Sequence, residues 1–155
     1  MLSALDRPVQ HHAAGELFQD RRRRLGRSKR SLYLSAGSGY LFNQVLGERV
    51  VQGNWHQCLP GDVMQLEGRR GRFRAPVCDA AIAARLAARE IHPTGPLWGR
   101  GAPEVEDLAL AFEQQCLADQ GLYRDGLERL GLEMDRRALR MRVDDLAMER
   151  EGSEA

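Results

Sequence analysis

The chain has 155 residues, 43% of them apolar and 29% charged, with 23 Lys+Arg against 22 Asp+Glu for a net charge of +1. These values fit one globular domain with a real core. No apolar run approaches the ~18 residues a membrane helix needs and the N-terminus has no signal-peptide core, so membrane-spanning and secreted classes are excluded and a soluble, cytoplasmic protein is expected.

The small net charge hides an asymmetry. Residues 1–75 carry 13 Lys+Arg against 6 Asp+Glu, whereas residues 76–155 carry 10 against 16. One half is suited to face nucleic acid and the other to face solvent or a second protein. All but one of the basic residues are arginine. That bias follows genome composition as readily as phosphate recognition, although the guanidinium is a fork suited to phosphate.

In chain order, residues 1–12 show no period, and residues 13–19 read as a short helix around Leu17 and Phe18. A basic segment follows with Arg21, Arg22, Arg23, Arg24, Arg27, Lys29 and Arg30. Such dense like charge predicts an extended segment until an anion neutralises it, and counterion release on phosphate binding would supply affinity. A solvated or localisation-type basic run is the plainer alternative.

In residues 31–49, Leu32 and Leu34 alternate with Tyr33 and Ser35, a polar hinge spans residues 35–39, and Leu41, Phe42, Val45 and Leu46 share one side of a helix over residues 39–51. Pro60-Gly61 signals a turn. Residues 62–66 and 72–75 read as paired strands joined by the Gly-bounded loop 67–71. Arg69, Arg70, Arg72 and Arg74 make this hairpin a second basic feature, with Phe73 read as a core-facing strand residue in preference to a base-stacking one.

Asp79 is a good N-cap for a helix over residues 80–90. Residues 91–101 hold two prolines and three glycines, which predicts an irregular, packed crossover. Pro103 suits the first turn of a helix carrying Val105, Leu108, Phe112 and Cys116, with Glu104, Glu106 and Asp107 as favourable charge at its N-terminus. A shorter helix over residues 122–130 ends at Gly131. From Ala138 a period of two (Leu139, Met141, Val143) predicts a strand, then a turn at Asp144-Asp145 and a further extended run through Leu146 and Met148.

Cys58, Cys78 and Cys116 fit neither a disulfide framework nor a zinc motif and are expected to be reduced. The histidines His11, His12, His56 and His92 have no metal-ligand spacing and are read as surface or packing residues, so no metal is expected. No phosphate-loop, dinucleotide or nucleophile-elbow motif is present. The residues alone therefore specify an α+β domain of mixed helices and short antiparallel strands, with RNA or DNA as the favoured partner.

The order of motifs resembles the tRNA pseudouridine synthase D family. The resemblance is carried by Lys29-Arg-Ser-Leu-Tyr-Leu-Ser-Ala36, Leu41-Phe-Asn-Gln-Val-Leu46 with Arg49, Leu59-Pro-Gly-Asp62 with Leu66, His92-Pro-Thr-Gly-Pro-Leu-Trp-Gly99 and Phe112-Glu113. It implies a two-lobed enzyme in which an α/β insertion domain interrupts the catalytic domain. Residues 1–30 would then be the end of a catalytic-domain part and residues 31–155 the insertion domain.

The implied reaction is cofactor-free isomerisation of a uridine in the tRNA D-arm to pseudouridine, by a carboxylate beside a flipped base. The family's Gly-x-Lys-Asp motif, its Gln-Arg-Phe-Gly segment and its closing Leu-Pro-x-Gly strand do not occur in the sequence. No catalytic residue is therefore assigned, and the chain alone is expected to be inactive. The partners implied are tRNA and catalytic segments outside the chain. RNA contact is expected from Arg21, Arg22, Arg23, Arg24, Arg27, Lys29, Arg30, Asn43, Arg69 and Arg70. One departure stands out: the family usually reads Ser-Ala-Ala-Arg-Ser where this chain has Ser35-Ala-Gly-Ser-Gly39, so Ser38 replaces an arginine. A non-catalytic RNA-binding module and a protein-interaction fragment are the alternatives.

Overall fold

The computed structural model describes residues 26–149. Within them lie α1 (Arg27–Val51), β1 (Asp62–Leu66), β2 (Arg72–Ala75), α2 (Ala80–Ala87), β3 (Ile91–Leu97), α3 (Asp107–Cys116), α4 (Gly121–Arg129) and β4 (Asp135–Ala138). The strands form one antiparallel sheet in the order β2-β1-β3-β4, which makes the fold α+β as expected.

The predicted hinge and the extended basic segment are both overturned from Arg27 onward, because α1 is one uninterrupted helix of 25 residues. Its internal glycines and serines favour a break, but packing of one face outweighs propensity. Leu34, Leu41 and Val45 lie against Leu117 and Leu127, and Arg30 Nη2 donates to the Leu130 carbonyl at 3.1 Å, tying the start of α1 to the end of α4. Arg21, Arg22, Arg23 and Arg24 lie outside the described residues.

The β1–β2 hairpin matches its prediction residue for residue, with Asp62 opposite Ala75 and Met64 opposite Phe73. Phe73 is half-buried beside a core of Met64, Ala75, Leu86 and Ile91. The turn before β1 requires glycine. Gly61 has φ +84°, a Cβ there would fall 2.1 Å from the Glu106 carbonyl oxygen, and Glu106 N donates back to Gly61 O at 3.0 Å. That approach pins the start of β1 against the start of α3.

Asp79 caps α2 by accepting from Ile82 N at 2.9 Å, as predicted. The helix stops at Ala87, short of the expected residue 90. The predicted crossover at residues 91–101 is instead the central strand β3. Its two partners are staggered: β1 lies against residues 91–93 and β4 against residues 94–97. Each proline is therefore flanked at its position by only part of the sheet, so an absent N–H breaks no continuous ladder. Pro93 still uses its carbonyl, accepting from Leu139 N at 2.8 Å.

Three further expectations change. Helix α3 starts at Asp107, beyond Pro103, and Glu104 and Glu106 do not cap it but pair with Arg72 and Arg74. The final strand is β4, three residues earlier than its predicted start, and residues 139–149 form no strand; Leu139 is buried while Met141 and Val143 are exposed. The alternation there reflects an apolar anchor followed by solvated chain. Lastly, Cys58 and Cys78 are joined in a disulfide with Cα atoms 5.7 Å apart, and Cys116 is free. Only the fold, which brings the loop after α1 beside the β2–α2 connection, reveals that pairing. Helix α4 agrees with its prediction to within a residue.

Candidate nucleic-acid interface

Two buried ion pairs set the architecture around which exposed basic residues are displayed. Arg49, on the last turn of α1, donates Nη1 to Asp62 Oδ2 at 2.9 Å, with both side chains almost fully buried. Its Nη2 donates to the carbonyls of Asn54 at 3.2 Å and Gln57 at 2.7 Å, which folds the loop after the helix back onto it. Arg136 of β4 pairs with Glu113 of α3 through both terminal guanidinium nitrogens. It also donates Nε to Thr94 Oγ1 at 2.8 Å, and that hydroxyl donates to the Val63 carbonyl at 2.7 Å.

The four charges cancel, and the chain of bonds links α1, β1, β3, α3 and β4. Burial pushes the Asp62 and Glu113 carboxyls upward, while the adjacent arginines pull them back. Every one of Arg49, Asp62, Thr94 and Glu113 belongs to a motif that carries the sequence resemblance. Those motifs are structural here: the carboxylates hold arginines and do not face a cleft where a base would react.

A third polar chain runs along the sheet. His92 is buried and bonds through Nε2 to Glu67 Oε2. Arg140 Nε donates to His92 Nδ1 at 2.9 Å, which leaves the ring proton on Nε2. The expectation of a packing histidine holds, although sequence spacing gave no sign of either partner. Among the described residues no group of three His, Cys, Asp or Glu side chains is placed to hold a metal ion, and no helix is long and apolar enough to cross a membrane.

The predicted RNA-contact residues fall in three places. Arg27, Lys29 and Arg30 are exposed on the first turns of α1, where Arg30 also closes α4. Asn43 is exposed near the middle of α1. Arg69 and Arg70 stand at the tip of the β1–β2 hairpin. None of these residues has a salt-bridge partner among the described residues, so their charge is available to an external anion.

The rest of the hairpin's basic character is spent internally. Arg72 bridges Glu104 at 2.9 Å and Asp135 at 2.6 Å, and Arg74 bridges Glu106 at 2.5 Å. The Arg72 guanidinium holds the Asp135 carboxyl below the usual carboxylate range. Ser38, where the resembling family carries arginine, is partly buried on α1.

A family model described as tRNA pseudouridine synthase D (TruD) matches residues 5–155. A protein of Methylococcus capsulatus named tRNA pseudouridine synthase D is 50% identical over 130 residues, which is 84% of this chain and 37% of the relative. Proteins of the same name from Nitrosococcus oceani and Xanthomonas axonopodis pv. citri are 47% and 48% identical over 121 and 127 residues, or 78% and 81% of this chain and 34% of each relative. The chain thus spans about a third of the length of the curated relatives it matches.

Proposed function

Because the chain belongs to the tRNA pseudouridine synthase D family, we propose that it supplies the RNA-binding insertion part, residues 31–155, of a cytoplasmic enzyme that isomerises a uridine of the tRNA D-arm to pseudouridine. In this reading residues 1–30 end a catalytic-domain part, and the catalytic carboxylate comes from segments outside the chain. The observation that carries it is the division of charge just described. Buried carboxylates of the motif residues Asp62 and Glu113 are consumed by Arg49 and Arg136, while Arg27, Lys29, Arg69 and Arg70 remain exposed. A surface that keeps unpaired arginines and buries its acids favours a phosphate backbone over an acid–base reaction.

Two measurements test this reading. Incubated with tRNA carrying 5-tritiated uridine, the chain alone is expected to release no tritium; turnover would place the catalytic carboxylate within it. The chain is also expected to bind tRNA with an affinity that falls steeply as salt rises, and to lose that binding when Arg21, Arg22, Arg23 and Arg24 are changed to Ala together with Arg69 and Arg70. Absence of binding at low salt would reject the RNA-binding role.

A further inference from the structure

A second basic feature lies apart from the residues assigned above. Between the loop after α1, the side of α2 and the segment following β4 there is a cleft of about 500 Å³, walled by His56, Asp79, Arg89 and Arg140 and lined by the Cys58–Cys78 disulfide. The disulfide joins the two chain segments that form one wall.

Arg140 is built into this cleft. Its Nε donates to His92, which is backed by Glu67, and its Nη2 donates to the carbonyls of Leu86 at 2.8 Å and Ile91 at 3.1 Å. Those bonds fix the guanidinium plane. Its Nη1 has no hydrogen-bond partner among the described residues and is the edge left for a ligand.

Arg89 stands in the position after the α2 C-cap with φ +57°, a left-handed conformation that glycine adopts at helix ends without strain. An arginine held there brings a second positive charge to the same cleft at a backbone cost. Burial, followed by the charge of Arg89, depresses the Arg140 guanidinium, as expected for two like charges kept close without an acid between them. Among the described residues Asp79 is the only acid lining the cleft, and its Oδ1 is engaged by Ile82 N.

We propose that this cleft is a phosphate-binding site in which Arg140, clamped by His92 and two carbonyls, and Arg89 together receive one phosphate group of an RNA backbone. Two guanidinium groups with a fixed orientation match the geometry of a phosphate oxygen pair. The choice of RNA as the source rests on the function proposed above. Free phosphate is the other source of the same chemistry.

The test follows the Arg140 Nε–H signal in two-dimensional NMR spectra of the 155-residue chain, titrated separately with tRNA and with inorganic phosphate, and compares Arg89→Gly with the parent. Arg89→Gly removes the charge where the backbone favours glycine, so the variant is expected to fold at least as well. The expected result is that tRNA shifts the Arg140 signal, and that Arg89→Gly lowers the slope of log affinity against log salt by about 0.7 to 0.9. If tRNA binds while the Arg140 signal stays fixed and the slope is unchanged, the cleft is overturned and the RNA-binding function stands. If tRNA fails to bind but inorganic phosphate shifts Arg140 in the parent and not in Arg89→Gly, the RNA reading falls and the site is one for free phosphate. If neither shifts it, the phosphate site is overturned.

Discussion

Removing one partner of the Arg49–Asp62 pair strands a charge in a place water does not reach. For Asp62→Ala the loss is expected to be about 3–5 kcal/mol, because the guanidinium keeps only its two carbonyl acceptors. The double change Arg49→Met with Asp62→Leu is expected to cost less than the sum of the single changes, since no charge is left behind. Urea unfolding checks both: the midpoint moves and the slope does not. At Cys116 the effect is chemical. Burial, then the charges of Glu48 and Glu113, pushes its thiol up to about 11. Since the thiolate is the reactive form, labelling of Cys116 by iodoacetamide at about pH 8 is expected to run on the order of a hundredfold slower than for a thiol at the ordinary value of 9.0. Labelling at the rate of a free thiol would show that the site is wetter than its packing implies.

Among the elements, β3 depends most on its neighbours. A Cβ on Gly95 would sit 2.9 Å from a methyl of Leu139 and 3.0 Å from the ring of Phe42, which α1 lays across the strand. Gly95→Ala is therefore expected to destabilise by about 1–3 kcal/mol through overpacking, read as a fall in the thermal midpoint. A second change, Phe42→Leu, should recover part of that loss by freeing the ring's space. The same strand marks the boundary of what local sequence can specify. Residues 62–66 and 72–75 were legible because their pattern, turn glycines and local pairing all agree. Residues 91–97 were not, because what makes a strand of His-Pro-Thr-Gly-Pro is the staggering of two partners that lie elsewhere in the chain. Helix α1 was misread in the same way at Gly37, which packs against Leu127, ninety residues on. The disulfide and the His92–Arg140 bond likewise join residues with no local relation. The exposed arginines were legible by composition, but which of them the fold consumes was not.

At the scale of the whole molecule, the basic first half and the acidic second half are not left to face apart. The sheet places Arg72 and Arg74 of β2 against Glu104, Glu106 and Asp135 from the second half. The next two basic residues back along the chain, Arg69 and Arg70, project from the hairpin tip without an ion-pair partner among the described residues. Neighbours in sequence thus carry different tasks, and the difference is measurable. Changing Arg69 and Arg70 together to Ala is expected to leave the urea midpoint within experimental error and to reduce the slope of log tRNA affinity against log salt by up to about 0.9 for each phosphate that is no longer neutralised. Changing Arg72 and Arg74 together to Ala is expected to do the opposite. It removes three partly exposed ion pairs, each worth about 0–1 kcal/mol, so the midpoint falls modestly while the salt slope stays near that of the parent. The second variant also frees Glu104, Glu106 and Asp135, so its affinity at low salt can drop through repulsion of the RNA even when the same phosphates are neutralised. The slope, and not the affinity at one salt concentration, therefore distinguishes an arginine that meets phosphate from one that builds the sheet. Equal slope changes in the two variants would mean that RNA competes for the Arg72 and Arg74 pairs, and the division of labour along the hairpin would be wrong.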